Sequence, residues 1–264
     1  MVGATVATAG RAAIVYAAMR PADTGWTDPA VLLPLVAGLA LLAVFVLHQT
    51  RWAREPLVPL GIFRLRQVSG GNGVMFVLGL GFFAGPVPLS LYPQDVHHYS
   101  PLRAGPAYLP VGVAMFTGAQ SAGSLSIRVG ARRAALLCYA LGAAGFAGVA
   151  VGTGLHASYP VSVLLPGAVL GFGTAAAFTP ITVAATGGLP PDRSGLAAGL
   201  LNTVRQTSGA LGPAVLSTLA SGALGPAVLS TLALAAGYTA VFAVSAGCLA
   251  VAAATAPLLI PRGS

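Results

Sequence analysis

The sequence predicts an all-α integral membrane protein of about eight transmembrane helices, and three observations carry that reading. Of its 264 residues 56% are hydrophobic and only 7% are charged, with a mean hydropathy of +0.85; soluble domains carry about 25% charged residues. No charged residue stands between Arg133 and Asp192, or between Arg205 and Arg262, and each gap has room for two spans of about 20 apolar residues. The arginines also fall in alternate connectors, the pattern of loops that return to the same compartment.

Taken in order, the apolar runs predict helices over 2–19, 30–49, 69–92, 104–126, 134–155, 160–185, 195–219 and 236–258. Runs of this length favour helices over barrel strands, which alternate over about 10 residues. In the first helix Arg11 must snorkel toward an interface, or that segment is not a full span. The second helix ends at a connector, 50–68, in which arginines and apolar residues interleave. Pro56 and Pro59 bar a continuous helix there, so the connector is expected to lie along the membrane surface with its arginines on lipid phosphates. It also divides the chain into two helices over 1–68 and six over 69–264. The third helix holds Pro86, Pro88 and Pro93 and the sixth holds Pro166 and Pro180, which free backbone carbonyls and permit kinks. Pairs such as Gly81/Gly85, Gly148/Gly152 and Gly167/Gly171 have the small-xxx-small spacing that lets helices approach closely in lipid.

One set of connectors holds Arg51, Arg54, Arg64, Arg66, Arg128, Arg132, Arg133, Arg193 and Arg262. The alternate set holds Arg20 and Arg103, with Asp23, Asp28, Asp95, His97, His98 and His156. The positive-inside rule makes the first set cytoplasmic, so both termini are expected inside the cell membrane, with Trp26 and Trp52 at opposite interfaces. The net charge of +8 comes from 13 arginines and no lysine; without a solvated basic face carrying aromatics it does not indicate nucleic acid. Cys138 and Cys248 each sit in an apolar segment, as packing residues would, and no metal site is expected. No paired acids or nucleophile–base set falls within the spans, so the chain is not read as an enzyme.

The polar residues inside the spans are few enough to weigh singly. Asn202, Arg205 and Gln206 are spaced to share one helix face, with Arg205 about 16 Å from the inner helix end. A charge at that depth costs about 2.5–3.5 kcal/mol on insertion scales unless it meets a partner or water. Arg205 therefore faces water, a substrate anion, helix carbonyls or an acid on another domain. Asn72, Thr117, Gln120, Thr174 and Thr179, together with Thr182, are further cavity candidates, although Thr and Ser often bond their own helix. Adjacent residues on a helix diverge, so His97 and His98 are expected to be a solvated rim pair.

The turn GSLSIRVGARR, residues 123–133, resembles the cytoplasmic G-x-L-a-D-R-x-G-R-R signature of the major facilitator superfamily. Gly123, Leu125, Arg128, Gly130, Arg132 and Arg133 match it, and Ile127 stands where the stronger copy of the signature has an acid. GWTDPAV (25–31), EPLVPLGIFR (55–64), LYPQDVHHYSPLRAGPAYLP (91–110) and GLAAGLLNTVRQTSGALGPAV (195–215) resemble, in order, the C-terminal half of the fourteen-helix drug–proton antiporter branch. Gly199, Ser208, Gly212 and Pro213 resemble its glycine–proline antiporter signature. The resemblance implies a C-terminal six-helix bundle preceded by two linker helices, with a latch at Gly123, Arg128, Gly130, Arg132 and Arg133. It implies packing at Gly167, Gly171, Gly209, Gly212 and Pro213, and a cavity lined by 69–92, 104–126, 160–185 and 195–219, with 134–155 and 236–258 toward lipid. The implied function is drug efflux by proton antiport, with a small amphipathic or cationic substrate, the lipid bilayer and a missing N-terminal six-helix bundle as partners, and a proton gradient but no cofactor. The opening inside an apolar segment is what a C-terminal fragment would show. The alternative is a non-transporting remnant or an interaction subunit that needs a separate six-helix partner.

SGALGPAVLSTLA occurs twice in tandem, at 208–220 and 221–233. Two copies of 13 residues are too short and too few for a solenoid, and a 13-residue shift rotates the helical register by about 220°. The copy is expected to be a duplication absorbed by the connector before the last helix, with 226–235 forming a short interfacial helix or extending that last helix.

Overall fold

The structure, a computed structural model, describes residues 2–19, 27–51, 59–155, 157–187, 189–224 and 231–259. Helices α1 (Val2–Met19) and α2 (Pro29–Arg51) pack against each other as a hairpin. A 3-10 turn (Leu60–Arg64) leads to α3 (Arg66–Ala84) and α4 (Pro86–Asp95), two parts of one rod. Then come α5 (Pro101–Val129), α6 (Ala131–Gly154), a π-helical turn (Pro160–Leu164) that opens α7 (Leu165–Thr186), α8 (Pro191–Leu224) and α9 (Thr231–Leu259). The described residues thus make eight helical rods and no strand. The stretches Pro29–Gln49, Arg66–Asp95, Ala131–Gly154, Pro160–Thr186 and Gly237–Ala256 are long and apolar enough to cross a membrane. The chain is a multi-pass membrane protein.

The helix expected over 69–92 is broken. Pro86 has no N–H, and its ring crowds the carbonyl four residues back. That carbonyl, on Phe82, accepts the Gly85 N–H at 3.2 Å instead, and regular bonding resumes with the Leu89 N–H on the Gly85 carbonyl at 3.0 Å. At the other end of α5 the connection to α6 is a single residue, Gly130, at φ +83° and ψ 146°. Only glycine adopts that backbone region without strain, so the reversal depends on it.

Glycine decides how closely the rods approach. A Cβ at Gly145 would stand 2.3 Å from the Leu170 nitrogen, one at Gly152 2.5 Å from the Ser162 Cα, and one at Gly173 2.5 Å from the Gly142 nitrogen. These positions draw α6 onto α7. The other side of α7 meets α5, where Gly171 lies against Val111 and Met115 and Gly118 against the Phe172 backbone, with Gly167 beside Val111. Gly209 against the Phe83 ring and Gly212 against the Leu80 carbonyl hold α8 on α3. Pro213 lies within α8, and its side chain is outside those described. In the α1–α2 hairpin Gly10 and Gly38 face each other, a pair the spacing rule missed because its two members lie on different helices. Behind these contacts α9 packs on α6 and α3, burying Phe146, Phe242, Leu249, Tyr139 and Cys138 in one core.

The 50–68 connector is only partly a surface segment. Ile62 and Leu65 pack with Val68, Ala197 and Leu200 at the start of α8, whereas Phe63 and Arg64 stay exposed. Trp26, Trp52, Arg54, Pro56 and Arg262 lie outside the described residues. Helix α8 runs through the whole first copy of the duplication to Leu224, and 231–235 extend α9 at its start; residues 225–230 are outside the described set.

Candidate functional site

Helix α8 carries Asn202, Arg205 and Gln206 at i, i+3 and i+4, along one face of the rod, and further along the same rod Ser208, Gly209 and Gly212 lie against α3. Leu201 and Ser208 are buried, whereas Asn202 and Gln206 are exposed and Arg205 is half-buried. Since α8 begins at Pro191, Arg205 is about 21 Å along it, deeper than a start at 195 implied. Its Nη2 donates to Asn202 Oδ1 at 2.9 Å. Its guanidinium carbon lies 5.4 Å from the centre of the Phe178 ring on α7, a cation–π distance. Phe178 in turn meets the edge of Phe82 on α3 at 5.2 Å.

Asn202 and Arg205 line a cleft of about 150 Å³ with Met75, Thr182, Ala198 and Leu201, so α3, α7 and α8 all contribute. The Thr182 hydroxyl donates to the Phe178 carbonyl at 2.9 Å, which leaves its oxygen lone pairs toward the cleft. The described acids with placed side chains are engaged elsewhere: Asp28 accepts the Ala30 N–H at 2.7 Å, and Asp95 accepts the Tyr238 hydroxyl.

The remaining candidates separate into two groups. Thr117 and Gln120 on α5, Thr179 on α7 and Gln206 are exposed; the Thr117 hydroxyl is turned to the Ala114 carbonyl at 3.0 Å. Asn72 and Thr174 are buried. Thr174 bonds the Leu170 carbonyl at 2.6 Å and presses its methyl toward Gly142 of α6, on the side of α7 that packs into the bundle. The Asn72 amide nitrogen returns to the Val68 carbonyl at 2.8 Å, and its Oδ1 is buried with no hydrogen bond among the described residues. At the α5–α6 turn Arg128 and Arg133 are exposed, Arg132 is half-buried, and Gly123 has open space where a Cβ would stand.

At the far end of α5 the rim is not the solvated histidine pair expected. His98 is exposed at φ +54°, but His97 packs among Tyr92, Tyr99 and Tyr159 with ring centres 5.4–6.2 Å away. Its Nε2 is buried with no hydrogen bond among the described residues. Burial, and next the neighbouring His98, pull its pKa below the ordinary histidine value. The Asp95–Tyr238 bond, which ties α4 to α9, and Arg103 at 4.4 Å over the Tyr99 ring were not anticipated; the first pair is far apart in sequence, and the second is a local pair at the start of α5. No cluster of three potential metal ligands occurs among the described residues.

The rods, the paired small-residue faces and the polar cleft among three of them define a multi-pass helical membrane protein. The profile of the Major Facilitator Superfamily matches residues 2–213, and the chain belongs to that family of transporters. It is similar to the multidrug resistance protein B homolog of Mycobacterium tuberculosis, 33% identical over 200 residues, or 75% of this chain and 37% of that protein. It is 35% identical over 222 residues to the cephamycin export protein CmcT of Amycolatopsis lactamdurans (82% of this chain, 45% of that protein). It is 33% identical to the puromycin resistance protein pur8 of Streptomyces alboniger over 98% of this chain and 53% of that protein. The chain spans about half the length of these relatives, or less.

Proposed function

We propose that this chain forms the C-terminal bundle of an exporter of drug-like small molecules driven by proton antiport, with its arginine-rich turns and both termini in the cytoplasm. One observation carries the reading: the Arg205–Asn202 pair, beside Phe178, opens a cleft within three rods of a transporter fold. In such folds substrates bind near the bilayer midplane between two bundles. The exposed polar residues of α5 and α8 would look across that interface, toward a complementary six-helix bundle corresponding to the rest of the relatives' length. The relatives' names, which speak of multidrug resistance, cephamycin export and puromycin resistance, support a small, partly apolar substrate.

The test is accumulation of a fluorescent aromatic drug in cells lacking their own pumps. Cells expressing the chain, alone or with a six-helix N-terminal bundle from such a relative, should accumulate less drug than empty-vector cells. Collapse of the proton gradient should abolish the difference. Equal accumulation in every arm overturns the export reading and favours an interaction subunit.

A further inference from the structure

We infer that the cleft around Arg205 selects ligands that present a carboxylate, or a comparably acidic oxygen, on an aromatic or apolar body, and that it disfavours organic cations. The inference rests on the proposal that this face meets substrate. An arginine side chain has five N–H donors and no acceptor. It must therefore meet the oxygen of the Asn202 amide, as the 2.9 Å contact to Oδ1 shows, and this turns the amide NH2 outward. The cleft then offers the rest of the guanidinium fork and the amide NH2 as donors, against one acceptor, the Thr182 oxygen, whose proton is held by the Phe178 carbonyl. A surface made mostly of donors around a fixed positive charge matches an acceptor-only group, and the planar fork matches a carboxylate best.

The apolar half of the site points to the same class. Met75, Ala198 and Leu201 line the remaining wall, and the Phe178 ring backs the guanidinium, with Phe82 edge-on behind it. Since a 150 Å³ apolar cavity holds one benzene-sized ring, a cleft of about 150 Å³ accommodates one ring with its acid group, and the rest of the ligand extends across the open face. A cationic ligand would bring like charge to Arg205. The acids whose side chains are described, Asp28 and Asp95, are held at helix termini and do not offset that repulsion.

The experiment uses three matched probes, 1-naphthylacetate, its methyl ester and 1-naphthylmethylammonium, in equilibrium dialysis against the purified chain in lipid nanodiscs. The carboxylate should bind about 10- to 100-fold more tightly than the ammonium, the range that a charge-assisted hydrogen bond supports, with the ester between them. Arg205→Gln should lose most of that preference while ester affinity stays within about threefold, and Arg205→Lys should keep part of it as a point charge without the fork. Helicity and monodispersity of both variants check folding. The inference is overturned if the ammonium binds as well as the carboxylate, if Arg205→Gln leaves the preference intact, or if no probe binds. Carboxylate preference with no export in the accumulation assay leaves the binding inference standing and sinks export. Export with cations favoured does the reverse.

Discussion

At Gly145 the nearest neighbour is backbone, the Leu170 nitrogen 2.3 Å from where a Cβ would stand, so no side chain can swing aside. Gly145→Ala should force α6 from α7 and cost about 1–3 kcal/mol, as other overpacked contacts do. Gly247→Ala, at a position with nothing within 4 Å, should be neutral or stabilising by about 0.5–1 kcal/mol. Thermal unfolding in detergent compares the two, and equal effects would refute the close-approach account. His97 makes a second prediction. Its folded pKa lies below the ordinary value because burial, then His98, disfavours the charged ring. The unfolded chain therefore takes up the proton first as pH falls, and stability drops from the ordinary histidine pKa down to the lowered one. Above that window both states are neutral and His97 contributes nothing. The unfolding temperature should fall as pH is lowered through this range, and His97→Gln should flatten the fall. A wild-type curve unchanged by the substitution would remove His97 from the account. Arg205 was legible as an anomaly from its depth in an apolar run; the burial of His97 was not, because Tyr159, which packs on it together with the local Tyr92 and Tyr99, comes from a distant stretch of chain.

For single elements, α8 shows where the first copy of the duplication packs. Ser208, Gly209 and Gly212 of the first copy lie against Gly79, Phe83 and Leu80 of α3, whereas 231–233 only begin α9. Deleting 221–233 should leave the α3–α8 contact in place and change stability by less than about 0.5 kcal/mol, as connector changes outside a packed core do. Gly212→Leu should be far more damaging in the same unfolding assay, since Gly212 lies on the Leu80 carbonyl. Helix number and approximate bounds were readable from apolar run length and proline position. The break at Gly85 was less so: three prolines permitted a kink, and only local bonding shows the chain breaking where the Gly85 N–H takes the Phe82 carbonyl in place of the donor Pro86 lacks. Thr174 and Thr179 looked alike as polar residues in one apolar helix. Packing separates them, one pressed toward Gly142 and the other exposed.

Across the whole molecule the arginine asymmetry predicts orientation. With Cys138 and Cys248 replaced by Ala, Ile127→Cys, at an exposed side chain beside the α5–α6 turn, should resist an impermeant thiol reagent in intact cells, and His98→Cys should react. The opposite pattern would invert the topology and the placement of both termini. What the sequence determined by itself is the solvent and the superfamily: too few charges for a water-facing surface, apolar runs of membrane length, and motifs that resemble one family of transporters. Tertiary structure alone decided which polar side chains share a space. Helical periodicity sorts residues within one rod, but Arg205, Phe178 and Met75 sit on three rods, and Asp95 meets Tyr238 across 143 positions of chain. Those meetings depend on how closely glycine lets each pair of helices approach, a property of facing surfaces that one helix read alone does not contain.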